Sequence, residues 1–510
     1  MDFNKIKAIL VLIIALFGAV FLGISAATAQ STALIWVGGG LFLTLCLVLG
    51  RHIWILIPAT LGMKGGLNFI PGSPAPWHFM TAVVGIFFLL RWLTRVQKIH
   101  LRWSGMETVI LLVALSILQA FLRNPTGLSV LGGDFAGGKS YFVFGIAMIA
   151  YFLISTAESD IKTWRWAVIA YIVFALGDAT ISAISGLSPA FASYMIRIYS
   201  NVSFAAANTI NYSGDAMETR ITELATFGSI LGMIACCFWR PVAALDLRKP
   251  WRILIALAAV GFTLFGGFRG NAVRLFTNFV MGSVLRRKYL DVLLVFFGGA
   301  FLLAALLIAV PTQNLPYSVQ RIFTILPGVQ VDSKIASDAE ESSELRFDMW
   351  KLVLSSDRYI SNKLLGDGFQ YSASEMAARE AMIFNDYRMS GGMTTQDMFL
   401  VTGSYHGFHV ETIRFTGAVG LFAATAALIV FAVFANRCIR HYRDHPAWGY
   451  VLFICMPFLI HPLWYWLIFG AYNSDFPILI ATAGLIKLLN NTLHSGQRVA
   501  ILYKIHRTTE

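Results

Sequence analysis

The chain has 510 residues, of which 57% are hydrophobic, 14% aromatic and only 13% charged. That is too little polar surface to coat a soluble globule of this length, so lipid is the expected solvent for most of it. The net charge of +12 would suit a nucleic-acid binder, but it is concentrated in short loops between apolar blocks, which excludes nucleic acid as a partner.

The apolar blocks run for about 17–25 residues, the length of helix that crosses a bilayer core. In chain order the expected spans are 8–28, 33–50, 54–70, 78–92, 105–123, 141–157, 166–186, 223–239, 253–268, 271–286, 291–312, 408–435, 448–469 and 475–490. The first imitates a cleavable leader, with Lys5 and Lys7 before the apolar run and Ala27-Thr28-Ala29 after it, but is read as a retained span. The third is interrupted by Lys64-Gly65-Gly66 and closed by Pro71, so it is either a span or a re-entrant segment. The fold class is all-α: a polytopic transmembrane helical bundle of 12–14 spans with a large helical periplasmic loop. It divides into a membrane region 1–312, the outer loop 313–407, a second membrane region 408–491 and a tail 492–510.

Loop charge sets the orientation. Arg91, Arg95, Lys98 and Arg102 fill one loop, Arg240, Arg248, Lys249 and Arg252 a second, Arg286, Arg287 and Lys288 a third, and Arg437, Arg440 and Arg443 a fourth. By the positive-inside bias these loops and both termini face the cytoplasm. The outer face then carries 124–140, 187–220 and 313–406. In the last of these, 337–344 (SDAEESSE) is acidic and expected to be mobile. Leu345, Met349 and Leu352 recur at helical spacing and predict an amphipathic helix along the membrane surface. The five cysteines, Cys46, Cys236, Cys237, Cys438 and Cys455, fall in spans or on the inner side, and no disulfide is expected. Neither an internal repeat nor an inverted pair of broken helices, as transporter halves share, is evident.

Outer-face arginines are the first candidates for chemistry. Arg220 and Arg269 sit at the mouths of spans, where a guanidinium offers paired donors to a diphosphate. Each alone equally fits snorkelling to lipid phosphates. Arg274 lies about 7.5 Å deeper than Arg269 at helical rise, and is expected to face protein or a wet cavity. Arg414 is expected to pair with Glu411, three residues before it. His406 stands just before the twelfth span, with Val410, Ile413, Gly417 and Gly420 on the face beneath it, where small residues admit a neighbouring helix or a lipid tail. A lone interfacial histidine is commonly an anchor, and His409, one turn away, competes with it.

These segments resemble the O-antigen ligase and polymerase superfamily of bacterial membrane glycosyltransferases, over roughly the second half of the chain. His406, Gly417 and Gly420 keep that family's His followed eleven residues later by Gly-x-x-Gly. Arg346 and Trp350 resemble its Arg-x3-Trp, and Gly366 and Gly368, within 365–369 (LGDGF), its Gly-x-Gly element. Phe268-Arg269-Gly270 resembles the Ser-Arg-Gly that opens a span, and Arg220 with Leu224 an Arg-x3-Leu. Gly407 stands where Asn or Ser is usual, Phe268 replaces Ser, and the Pro-Asn that often follows the Arg-x3-Leu is absent.

The resemblance implies transfer of a glycan from an undecaprenyl-diphosphate donor to an acceptor hydroxyl at the periplasmic face of the bacterial inner membrane, inverting, with no metal or other cofactor. The acceptor is a glycan, lipid A-core or a protein; a ligase is favoured, a polymerase is the alternative, and a lipid-linked oligosaccharide flippase is the rival from another class. Arg220 and Arg269 would clamp the diphosphate, and His406 would orient or deprotonate the acceptor. Arg346 would close over the donor or brace the loop, and Trp350, Gly366, Gly368, Gly417, Gly420, Arg274 and His409 would line the substrate site. The outer face has no Asp-x-Asp, and its one Asp-x-Glu, Asp338 to Glu340, lies in the acidic stretch.

Overall fold

The computed structural model describes residues 31–95, 102–125, 138–200, 221–326, 329–369, 399–400, 403, 405–467 and 470–508. The fold is all-α: 77% of it is helix, with no strand among the described residues. Two compact units are present, Met1–Ile55 and Leu56–Glu510. In the first, helix α1 (Ser31–Leu49) leads into a 3-10 turn at Gly50–Ile55. The expected span at 8–28 lies outside the described residues.

The second unit begins with the short α2 (Leu56–Thr60) and continues through α3 (Pro76–Leu93), α4 (Gly105–Arg123), α5 (Lys139–Ser155), α6 (Ile161–Leu187) and α7 (Pro189–Met195). Next come α8 (Thr222–Phe238), α9 (Pro250–Phe265), α10 (Arg269–Leu285), α11 (Tyr289–Ala309), α12 (Tyr317–Phe323) and α13 (Ser333–Ser355). The last three are α14 (Phe408–His441), α15 (Trp448–Leu467) and α16 (Tyr472–Thr508). Among the described residues, six helices are long and apolar enough to cross a membrane: Phe42–Thr60, Pro76–Leu93, Gly105–Arg123, Thr163–Leu187, Tyr289–Ala309 and Phe408–His441. Lys139–Ser155, Thr222–Phe238, Pro250–Phe265 and Trp448–Ile460 are shorter apolar helices.

Helix starts follow local chemistry. Ser104 and Glu107 form a capping box on α4, Asp160 accepts from Thr163 N–H at 2.9 Å on α6, and prolines occupy the first turns of α3, α7 and α9. Of the two readings left open for the third apolar block, a continuous span is not formed: its helix stops at Thr60, because Lys64-Gly65-Gly66 and Pro71 cannot continue it. Two further expectations are corrected. The acidic stretch 337–344 has helical backbone inside α13, whose first turn Asp332 caps by accepting from Lys334 N–H at 2.9 Å. The helix expected at 475–490 runs on to Thr508.

The two ends of the bundle differ. At one, the basic end, Lys487 and Glu107 are both 3% exposed and pair at 3.0 Å. Lys487 Nζ also donates to Arg102 O at 2.7 Å and Ser104 Oγ at 2.8 Å, and Tyr151 donates to Glu107 at 2.6 Å. This satisfied cluster ties α4, α5 and α16 together. Nearby, Arg286 caps α8 by donating to Cys236 O and Cys237 O at 2.8 and 2.9 Å, and Arg240 pairs with Asp291 at the start of α11. All five cysteines are free and buried.

The opposite end, the loop end, gathers the starts of α8, α10, α14 and α16 with segments 61–75, 188–200 and 313–369. Here Ile221 N–H donates to Gly266 O at 3.0 Å and Tyr472 N–H to Glu411 at 2.8 Å.

Candidate functional site

The site is organised by a break in α14. Gly417 has φ 76 and ψ −176 in the middle of the helix, a conformation essentially confined to glycine. The break frees backbone groups of the flanking turns, and segment 363–368 takes them up. Asp367 N–H donates to Arg414 O at 2.6 Å, Gly368 N–H to Phe415 O at 3.1 Å, and Ala418 N–H to Lys363 O at 2.9 Å. The two backbones touch: a Cβ on Gly417 would sit 2.1 Å from Leu364 O, and one on Gly366, itself at φ 76, would sit 2.5 Å from Gly417 N. Two elements separated by about fifty residues are thus one structural joint.

The joint is bolted to α4 and α5. Gln119 donates to Leu365 O at 2.7 Å, Arg123 donates to Leu365 O and Gly366 O, and Asn124 donates to Asp367 O at 2.8 Å. Phe369 N–H donates to Tyr141 at 3.3 Å, and its ring stacks on Phe415 and Tyr472. The Asp367 carboxylate holds its own loop, accepting from Ser361 N–H at 2.8 Å and Asn362 N–H at 2.9 Å. Gly366, Gly368 and Gly417 therefore serve backbone contact. Gly420 is buried behind them, tight against Thr416.

Above the joint stands His406. Its φ of 51 places a non-glycine residue in the left-handed region. Its N–H donates to Glu411 at 3.2 Å, and its ring meets Phe399 edge-on at 4.3 Å. Glu411 is 2% exposed and accepts from both His406 and Tyr472 N–H, joining the starts of α14 and α16. Its carboxyl oxygens accept from these backbone groups, and it also lies in the electrostatic field of Arg414, its expected partner. Arg414 lies over the Phe415 ring and beneath Gly403.

Trp350 fixes the same turn from outside. Its Nε1 donates to Tyr405 O at 2.7 Å, and its indole lies so close over Gly407 that a Cβ there would be 2.7 Å from the ring. An Asn or Ser at Gly407 would therefore have to displace the Trp350 indole. Met349, Trp350 and Val353 form the buried stripe of α13, packed with Ile360, Leu400, Tyr405 and Val410. Of the apolar positions expected at helical spacing, Met349 is buried in this cluster and Leu352 is 39% exposed. Arg346 lies one turn before Trp350 and is partly exposed. His409 is sandwiched between Trp350 and Trp466 and bonds the Trp466 backbone, while its buried Nδ1 meets no hydrogen-bond partner among the described residues.

Arg269 opens α10, and Arg274 lies on the same helix; both are partly exposed. Arg220 lies outside the described residues. Its chain neighbour Ile221 is bonded to Gly266, three residues before Arg269.

Lys64 and Asp475 belong to this end as well. Lys64 Nζ donates to Thr226 Oγ1 on α8 at 3.1 Å, and the Asp475 carboxylate lies in the electrostatic field of Arg274 and Lys64. The sequence signal for Lys64 was the charge inside an apolar block; Asp475 carried none. Among the described residues no three His, Cys, Asp or Glu side chains converge on a metal-sized position.

A scan against protein-family models finds no match to the chain, and a search of curated proteins finds none either.

Proposed function

We propose that the chain is a membrane glycosyltransferase that moves a glycan from a polyprenyl-diphosphate carrier to an acceptor hydroxyl at the loop end of the bundle, most closely a ligase of the O-antigen type. One observation carries the reading. The elements that the resemblance strings along the second half of the chain are in mutual contact: Trp350 clasps the His406 turn, and Gly366 seats on Gly417. Arg269 opens a helix at the same end.

In this reading the acceptor oxygen attacks the anomeric carbon as the bond from that carbon to the diphosphate breaks. The electron pair leaves on the diphosphate, and the acceptor proton passes to His406. Arg269 and Arg220 meet the charge that develops on the leaving group, where preorganised cations lower a barrier most. A turn clamped by Trp350 and Glu411 keeps the imidazole in place, which a general base needs. Trp350, Gly366, Gly368, Gly417 and Gly420 hold this geometry rather than touch substrate. The loop end corresponds to the periplasmic face by the positive-inside bias of the opposite loops.

The test is transfer from purified lipid-linked donor by variants at matched protein level. His406→Ala and Arg269→Ala should each lose activity by about a hundredfold or more, while His409→Ala retains it. Full activity in His406→Ala defeats the catalytic assignment, and a dead His409→Ala names the other histidine. In a deletion strain, full-length glycan stranded on the carrier marks a ligase, and single repeat units mark a polymerase.

A further inference from the structure

An apolar block that stops being helix within a spanning bundle needs its backbone satisfied by protein. Segment 61–75 meets this requirement against segment 196–200. Gly66 N–H donates to Ser200 Oγ at 2.7 Å, Ser200 N–H returns to Gly66 O at 2.9 Å, and Asn68 N–H donates to Ile198 O at 3.0 Å. Gly65 N–H donates to the Tyr199 hydroxyl at 2.9 Å, and that hydroxyl donates to Asp178, buried on α6. Burial, and the bond to Asp178, hold the Tyr199 hydroxyl far above its ordinary pKa, so it remains a donor. The segment is fixed from two sides, and what it displays is the exposed side chain of Lys64, directed to Thr226.

Depth along the helices places Lys64. Thr226 follows Ile221 by five residues and Arg274 follows Arg269 by five, which is about 7.5 Å of helix in each case. Ile221 is bonded to Gly266, and Ala225 packs against the same glycine, so Thr226 and the Lys64 side chain lie just below the turn that joins α9 to α10. Side chains on a helix lean toward its N-terminus, which carries Arg274 up toward Arg269. The loop end therefore holds cations in two tiers, Arg269 at the mouth of α10 and Lys64 with Arg274 below it, and the Asp475 carboxylate, which accepts from Ala471 N–H at 3.1 Å, lies in the field of the lower pair. A monophosphate engages one tier, whereas a diphosphate has a charged group for each.

We propose that Lys64 and Arg274, with Asp475 as their resident counter-charge, form the lower half of a diphosphate site and hold the phosphate attached to the polyprenyl chain, while Arg269 takes the phosphate that bears the glycan. This rests on the reading of the loop end as the place where a polyprenyl-diphosphate donor binds. A lysine that only reached for water would not need a break in an apolar block, a second segment to satisfy it and a buried Tyr–Asp pair to hold it. Asp475 lies in the field of the lower cations and competes with a diphosphate for them.

The test is direct binding to the purified full chain in detergent, by calorimetry, of geranylgeranyl diphosphate, geranylgeranyl monophosphate and inorganic diphosphate, with phosphatidylglycerol in mixed micelles as competitor. Wild type should prefer the prenyl diphosphate over the monophosphate by about tenfold or more, and Lys64→Ala should lose about tenfold in diphosphate affinity together with that preference. Lys64→Arg should retain both, and Asp475→Asn should bind the diphosphate more tightly, an effect that a bracing role for Asp475 would not produce. Reduced binding of inorganic diphosphate in Lys64→Ala supports phosphate recognition. Wild-type affinity in Lys64→Ala overturns the proposal, as does equal binding of monophosphate and diphosphate, or displacement by phosphatidylglycerol as effective as by the prenyl diphosphate. If Lys64→Ala weakens diphosphate binding but no preparation transfers glycan, the site stands and the transferase reading falls. If wild type transfers glycan and Lys64→Ala matches it in binding and transfer, the transferase stands and this site falls.

Discussion

Gly417→Ala strikes the joint between α14 and segment 363–368. The native φ of 76 and ψ of −176 would cost an alanine about 1–3 kcal/mol of backbone strain. The new Cβ would also overlap Leu364 O, at 2.1 Å. Relieving that overlap pushes segment 363–368 away and breaks the bonds from Ala418 N–H to Lys363 O and from Val419 N–H to Leu364 O, at 2.9 and 3.3 Å. At about 1 kcal/mol each, these bring the total to roughly 3–5 kcal/mol. Gly366→Ala attacks the same joint from the other side, its Cβ 2.5 Å from Gly417 N. Once either substitution has opened the joint, the second has little left to break. The double variant should therefore fall short of the sum of the singles by about 1–3 kcal/mol. Reversible unfolding in mixed micelles, followed by tryptophan fluorescence, measures all three. A Gly417→Ala protein as stable as wild type, or strictly additive singles, would refute the joint.

Gly407→Ala should displace the Trp350 indole, since its Cβ would stand 2.7 Å from the ring; a shifted tryptophan emission and a loss of about 1–3 kcal/mol are the expected readouts. Glu411→Ala should cost about 2–4 kcal/mol by leaving the His406 and Tyr472 N–H groups unpaired, while Glu411→Gln, which keeps an acceptor, should cost less in the same unfolding assay. Lys487→Met alone should destabilise by about 3–5 kcal/mol because it strands the buried Glu107. Adding Glu107→Met should recover part of that loss, and a double variant worse than the sum would contradict a closed pair.

The spans were legible wherever an apolar block ended on local chemistry. The block 105–123 was read to the residue, since Ser104 and Glu107 open it and a polar run closes it. What local spacing does not carry is partners far away in sequence. Of Leu345, Met349 and Leu352, which share helical spacing, Met349 is buried with Trp350 and Val353 against Ile360, Leu400, Tyr405 and Val410, partners that spacing alone does not name. Glu411 lies in the field of Arg414, three residues on, and the start of α16, sixty-one residues on, supplies one of its donors, which helical spacing could not name. Glycine is ordinary in membrane helices, and nothing local marks Gly417 as a break until Gly366 is seen against it. Lys64 was visible as an interruption, while its neighbours Thr226 and Asp475 come from α8 and α16.

The most direct measurement of the central claim is the fate of the carrier lipid during one turnover by purified wild-type protein in proteoliposomes, with donor labelled in both glycan and prenyl chain. The expected result is one free polyprenyl diphosphate for each glycan joined to acceptor, abolished in His406→Ala and Arg269→Ala. Movement of intact, uncleaved donor across the bilayer would contradict it and mark the chain as a transporter.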